Sequence, residues 1–180
     1  FLLTRSSDLE ILNGTMVTDE HLIIHAKNVS YAMGAMAEHF GEDVEHWQAI
    51  GLLHDYDYEK YPEEHLQHTK EPLLAVGVSE EDVRAILSHG WGICTDVKPE
   101  TNMEKSLFTV DELTGITQAC ARMRPNCIQD LEIKSFMKKY KDKKDIETDL
   151  CLKKQYIQNA KNLLLNYDDT FCEAVIIDGN

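Results

Sequence analysis

The sequence predicts an all-α fold on three observations. Apolar residues recur at three- and four-residue spacing through most of the chain. Gly41, Gly90 and the pair Arg124-Pro125 stop these runs at helical lengths. No alternating run marks a strand, since the one candidate, Ala174 to Ile177, is too short to decide a fold.

The first helix begins near Thr18-Asp19-Glu20. Leu22, Ala26, Val29, Ala32, Met33, Met36, Ala37 and Phe40 keep its period until Gly41. The stripe of Met33, Met36 and Ala37 reads as core packing. A second helix starts at Glu42-Asp43, carries Val44, Trp47, Ile50 and Leu53 on one side, and runs toward His54-Asp55. Tyr56 to Pro62 is a connection. Glu63 to Val76 reads as helical, interrupted at Pro72. Ser79-Glu80-Glu81-Asp82 resembles a capping box with Asp in place of Glu, and opens a helix through Val83, Ile86 and Leu87 to Gly90. Residues 90–101 form the longest loop. Leu107, Val110, Leu113, Thr114, Ile116, Thr117 and Cys120 then support a long helix from Met103 to about Met123. Beyond it, Leu131 to Tyr140 and Ile146 to Leu165 are amphipathic, with the basic run Lys138 to Lys144 as a solvated helix end and loop between them. A chain of 180 residues without internal repeats is expected to form one domain over 1–180, with a core at about 18–125 and a helical extension at 126–180.

The 32 acidic residues against 18 basic ones leave a formal charge of −14. That charge repels phosphate backbones and anionic lipid, so neither a nucleic-acid polymer nor a membrane is an expected partner. The five cysteines are scattered without a CxxC pair, which indicates neither a disulfide framework nor a thiolate zinc site and fits a reducing cytoplasm. No stretch approaches the length of a membrane span, and Phe-Leu-Leu-Thr-Arg before Ser6-Ser7-Asp8 is too short for a signal core. A chain that opens at Phe1 rather than Met is expected to be a trimmed one. The helix of Met33 and Met36 and the C-terminal helices are the candidate surfaces for a homodimer.

All eight histidines precede residue 90. Imidazole is the commonest neutral metal ligand, and carboxylates beside it make a mixed site suited to a divalent first-row ion. His54-Asp55 stands at the end of a helix, where adjacent residues can face one point despite the 100° between helical neighbours. His25 sits among apolar positions on the side of Leu22 and Val29, and Asp111 lies among Leu107, Phe108, Val110 and Leu113. Each alone is a hydrogen-bonded core histidine or an exposed acid, whereas a shared cation would resolve the burial cost of both. His21, His39 and His46 read as surface residues.

The order His25, then Gly51-Leu-Leu-His-Asp-Tyr-Asp-Tyr-Glu-Lys-Tyr-Pro, then Ala85-Ile-Leu-Ser-His-Gly, then Asp111 within Met-Glu-Lys-Ser-Leu-Phe-Thr-Val-Asp-Glu-Leu-Thr-Gly, resembles the H…HD…D signature of the HD superfamily of metal-dependent phosphohydrolases. The resemblance runs from about residue 18 to 125. It implies an HD-type helical bundle in which His25, His54, Asp55 and Asp111 hold one divalent ion, of iron, manganese, zinc, nickel, cobalt or magnesium. An ion with open positions activates water and receives a phosphate oxygen. The implied activity is hydrolysis of a small phosphate ester or nucleotide by water attacking phosphorus. His68 and His89 correspond to further histidines that several such families place between the HD pair and the last Asp, for a second metal or for substrate phosphate. His65, three residues from His68, competes with it on the same expected helical face, and His89 equally suits a helix C-terminus.

The pattern is also similar to enzymes that split diadenosine tetraphosphate, but Tyr56-Asp57-Tyr58-Glu59 precedes the first base, Lys60, and Tyr58 replaces the glutamate of the nucleotidases' HDxxE. Lys60 is the candidate for binding substrate phosphate, and Asp57 is the candidate general acid or base ahead of Glu59. The bland alternative for both acids is a solvated turn. Two rival functions remain at this stage, namely a metal- or nucleotide-binding helical module that turns nothing over, and oxygen chemistry on a di-iron pair using His68 and His89.

Overall fold

The computed structural model describes residues 17–132 together with 134, 135 and 138. These residues form five α-helices and no strand: α1 (Glu20–Phe40), α2 (Val44–Leu53), α3 (Lys70–Ala75), α4 (Glu80–Ser88) and α5 (Asn102–Arg122), with 3-10 turns at Pro62–Glu64 and Cys127–Asp130. The all-α expectation is met. No helix among the described residues is long and apolar enough to cross a membrane. The amphipathic segments expected at 146–165, most of 131–140, the basic run to Lys144 and the short strand candidate at 174–177 lie outside the described residues.

Side chains that accept free backbone N–H groups begin α1, α2, α4 and α5. Asp19 accepts from His21 N at the start of α1, Asp43 from His46 N at α2, and Ser79 from Asp82 N at α4. At α5, Thr101 Oγ1 accepts from Glu104 N, while the Glu104 carboxylate accepts from the backbone of Glu100 and Thr101. Gly41 ends α1 in the left-handed region, at φ 73°, where its N–H reaches back to Glu38 O.

One sequence expectation is corrected. The segment 63–76 is not one helix broken at Pro72. Its only α-helix is α3, which starts at Lys70, so Pro72 falls in the first turn, where its missing N–H costs nothing. Residues 65–69 are turns instead, and Leu66 takes a positive φ of 67°.

By contact the chain divides into two compact units, 1–111 and 112–180. In the first, Val29, Met33, Met36, Ile50, Leu53, Leu73, Val83, Ile86 and Leu107 are fully buried. Helices α1 and α2 pair extensively. The pairing is close because residue 51 is glycine: a Cβ there would lie 2.9 Å from Ser30 Cα. This approach puts the C-terminal end of α2, with His54, beside the middle of α1, with His25. In the second unit, Leu113, Ile116 and Cys120 form a small core against which Leu131 packs.

Candidate metal centre

His54 follows the last residue of α2 and is wholly buried. Its Nδ1 lies 2.8 Å from the carbonyl of Gly51, one turn back. A carbonyl only accepts, so Nδ1 carries a proton, and Nε2 is the nitrogen turned toward the carboxylates, available as a lone pair once an ion takes the place of a second proton. That Nε2 is buried without a hydrogen-bond partner. It faces Asp55 Oδ2 at 3.2 Å and Asp111 Oδ1 at 3.4 Å. A lone pair aimed at two carboxylate oxygens in a dry site is repulsive unless a positive charge joins them. Burial would lower the His54 imidazole, but Asp55 and Asp111 outweigh it and hold the group well above the ordinary histidine range.

His25, from the middle of α1, brings Nε2 to 2.9 Å from Asp111 Oδ1 and 3.7 Å from Asp55 Oδ2. The four residues expected to hold one ion therefore converge from two helices, α1 and α5, and from the end of a third, α2. His25, Asp55 and Asp111 keep 18%, 17% and 23% of their side chains exposed while His54 keeps none. The cluster is thus buried at His54 and partly accessible at the other three, as a site that must admit a ligand requires.

Asp55 also turns its other oxygen away from this group. Oδ1 lies 3.3 Å from His65 Nε2 and 3.5 Å from His89 Nε2. His89, just after α4, has Nδ1 2.6 Å from Ile86 O, so the same tautomer logic leaves its Nε2 facing inward. His65 has Nδ1 2.9 Å from Asp57 Oδ1, and its Nε2 lies 3.2 Å from that of His89. Two such nitrogens at that distance share a proton or a cation. Burial works against charge on His65, yet Asp55 and Asp57 raise it to about 9. The ligand atoms of His25, His54 and Asp55, of His54, His89 and Asp111, and of Asp55, His65 and His89 each fall within 4.8 Å of one another.

The donor set fits a divalent cation: imidazoles of His54, His65 and His89 whose Nδ1 is engaged elsewhere and whose Nε2 faces the cluster, carboxylates beside them, and an orphaned buried Nε2 on His54. His25 and His54 each approach both Asp55 and Asp111, and Asp55, His65 and His89 form a further group through the other oxygen of Asp55.

The other expected residues are placed differently. His68 is not brought to the cluster; its Nε2 pairs with Glu64 at 2.6 Å and its ring stacks on Tyr61. His65 occupies the position expected for His68, because 65–69 is a turn and the two rings do not share a helical face. Asp57 is fully buried and accepts from His65 Nδ1, Leu66 N and His68 N, so it is neither a solvated acid nor open to substrate. Glu59 accepts from Thr18 and Asp19 and ties the turn to the start of α1. Lys60 is exposed and its charge acts on Glu59.

The family model of the HD domain matches residues 22–100. No curated protein and no solved structure matches the chain. The matched segment contains His25, His54, Asp55, His65 and His89 but ends before Asp111, whose place in the cluster rests on its 2.9 Å approach to His25.

Proposed function

The chain is an HD-superfamily protein, of a superfamily of metal-dependent phosphohydrolases, and from that premise we propose that it hydrolyses a small phosphate ester or nucleotide at this centre. The observation that supports the reading best is the buried, unpartnered Nε2 of His54 directed at Asp55 and Asp111.

His25, His54, Asp55 and Asp111 would hold one divalent ion, and Asp55, His65 and His89 a second. A bound divalent ion supplies Lewis acidity toward a phosphoryl oxygen and lowers the pKa of water. The protein's part is to fix the ligands. Gly51 O and Ile86 O set the tautomers of His54 and His89, and Asp55 serves both points through its two oxygens. The carboxylates of Asp55 and Asp111 are partly exposed and would be met by an entering substrate. The chain carries a formal charge of −14, so an anionic ester would be held by short-range attraction to the centre rather than steered from a distance.

The test is release of inorganic phosphate from a panel of nucleotides and sugar phosphates, with manganese, iron, cobalt, nickel, zinc or magnesium. Hydrolysis that requires metal, stops with chelator and is lost in Asp55→Asn is the expected result. Stoichiometric metal binding with no hydrolysis of any ester would instead make the chain a binding module.

A further inference from the structure

We propose that Asp57 is a positioning residue, whose buried carboxylate fixes the tautomer and direction of His65 and thereby builds the second ion position; this rests on the two-ion reading above. Asp57 follows the HD pair by two residues and is fully buried. A buried carboxylate persists only when its oxygens are satisfied. Here Oδ1 accepts from His65 Nδ1 at 2.9 Å and Leu66 N at 3.0 Å, while Oδ2 accepts from His68 N at 3.0 Å.

Two jobs are joined in those bonds. The backbone pair grips a turn in which Leu66 holds a left-handed φ of 67°, a conformation that a branched, non-glycine residue leaves unless its surroundings over-determine it. That turn is what directs His65 inward and His68 outward, where a continuous helix would have stacked them on one face. The third bond decides chemistry. A carboxylate at Nδ1 keeps a proton there, so Nε2 is the nitrogen turned toward Asp55 and His89 and the one that can ligate when an ion displaces its proton. Carboxylates behind ligating histidines act this way generally, and their loss weakens metal binding by about 10- to 100-fold.

The experiment is calorimetric titration of the full chain with cobalt(II), for the parent, Asp57→Asn, His65→Ala and the double variant. The parent should take up two ions. Asp57→Asn should weaken one ion by about 10- to 100-fold and leave the other within about threefold. The double variant should be no worse than His65→Ala alone, because Asp57 acts through His65. Equal binding of both ions by Asp57→Asn and the parent overturns the proposal, as does a double variant whose losses simply add. Should Asp57→Asn fail to fold, nitrogen-15 NMR of the unaltered protein decides. The metal-free His65 should be protonated at Nδ1, and cobalt should perturb Nε2; coordination through Nδ1 would overturn the proposal. Uptake of a single ion by the parent would instead count against the two-ion reading, and the His65 tautomer would still test the Asp57 assignment.

Discussion

His25 and Asp111 stand 86 positions apart in sequence, and their side chains meet at 2.9 Å, Nε2 to Oδ1. The contact joins the middle of α1 to the middle of α5 and closes the cluster that α2 begins with His54 and Asp55. Neither residue has an obvious local reason to be where it is. An imidazole and a carboxylate on two apolar helix faces become understandable together, through what they face.

The approach of α1 to α2 that sets this geometry depends on Gly51. Gly51→Ala would place a methyl 2.9 Å from Ser30 Cα and 3.0 Å from Met33 Cγ. Overpacking of this kind costs about 1–3 kcal/mol. Urea denaturation should show that loss, and metal affinity should fall with it because His54 moves with the end of α2. Unchanged stability would mean that the helices separate freely at this point.

His65 and His68 should behave oppositely. His65→Ala removes a nitrogen 3.3 Å from Asp55 and should lower metal-dependent kcat/KM by at least about tenfold. His68→Ala removes an exposed partner of Glu64, and such pairs contribute about 0–1 kcal/mol, so activity should stay within about twofold. Reversal of the two effects would restore the assignment expected from sequence.

Away from the centre, the contact of α2 with α4 contains a pH-sensitive pair. Burial alone would raise Asp82, but hydrogen bonds from His46, at 2.7 Å, and Ser79 outweigh it and hold its carboxyl below the ordinary range. A depressed native pKa contributes stability above the unfolded value near 3.9, and that stability is lost as pH falls through the native value. Asp82→Asn should therefore be less stable than the parent at about pH 6, with the gap narrowing below about pH 4. Denaturation midpoints across that range check it; a constant gap contradicts it.

At the start of α5, Glu104 is almost wholly buried, accepts from the backbone of Glu100 and Thr101, and pairs with Arg84. Glu104→Ala leaves those backbone donors without their acceptor and Arg84 with only Glu100 and the Lys98 carbonyl. A cost of about 1–3 kcal/mol is expected in thermal or chemical denaturation. A change under about 0.5 kcal/mol would show that water replaces the carboxylate fully.

The helices were legible wherever period and caps agreed. Asp19, Gly41, Asp43 and Ser79 stand where their capping chemistry puts them, and His25, His54, Asp55 and Asp111 could be paired because each was anomalous or adjacent to an anomaly. The stretch 56–69 was not legible. Its shape comes from one buried carboxylate, Asp57, bonding the His65 ring and the backbone N–H groups of Leu66 and His68, eight to eleven residues later, a tertiary effect that propensity and period do not encode. His65 and His68 were therefore exchanged. The only local hint was two prolines, Pro62 and Pro72, bracketing a segment too short for a helix of ordinary length.

The central claim is that the histidine and aspartate cluster holds metal. The most direct measurement is elemental analysis of the chain purified without chelator or affinity metal and then equilibrated with iron, manganese, cobalt, nickel or zinc, beside His54→Ala. The account predicts near-stoichiometric or greater retention of at least one of these ions by the parent and a clear loss in His54→Ala. A parent that retains none of them, or a variant that retains as much, would contradict it.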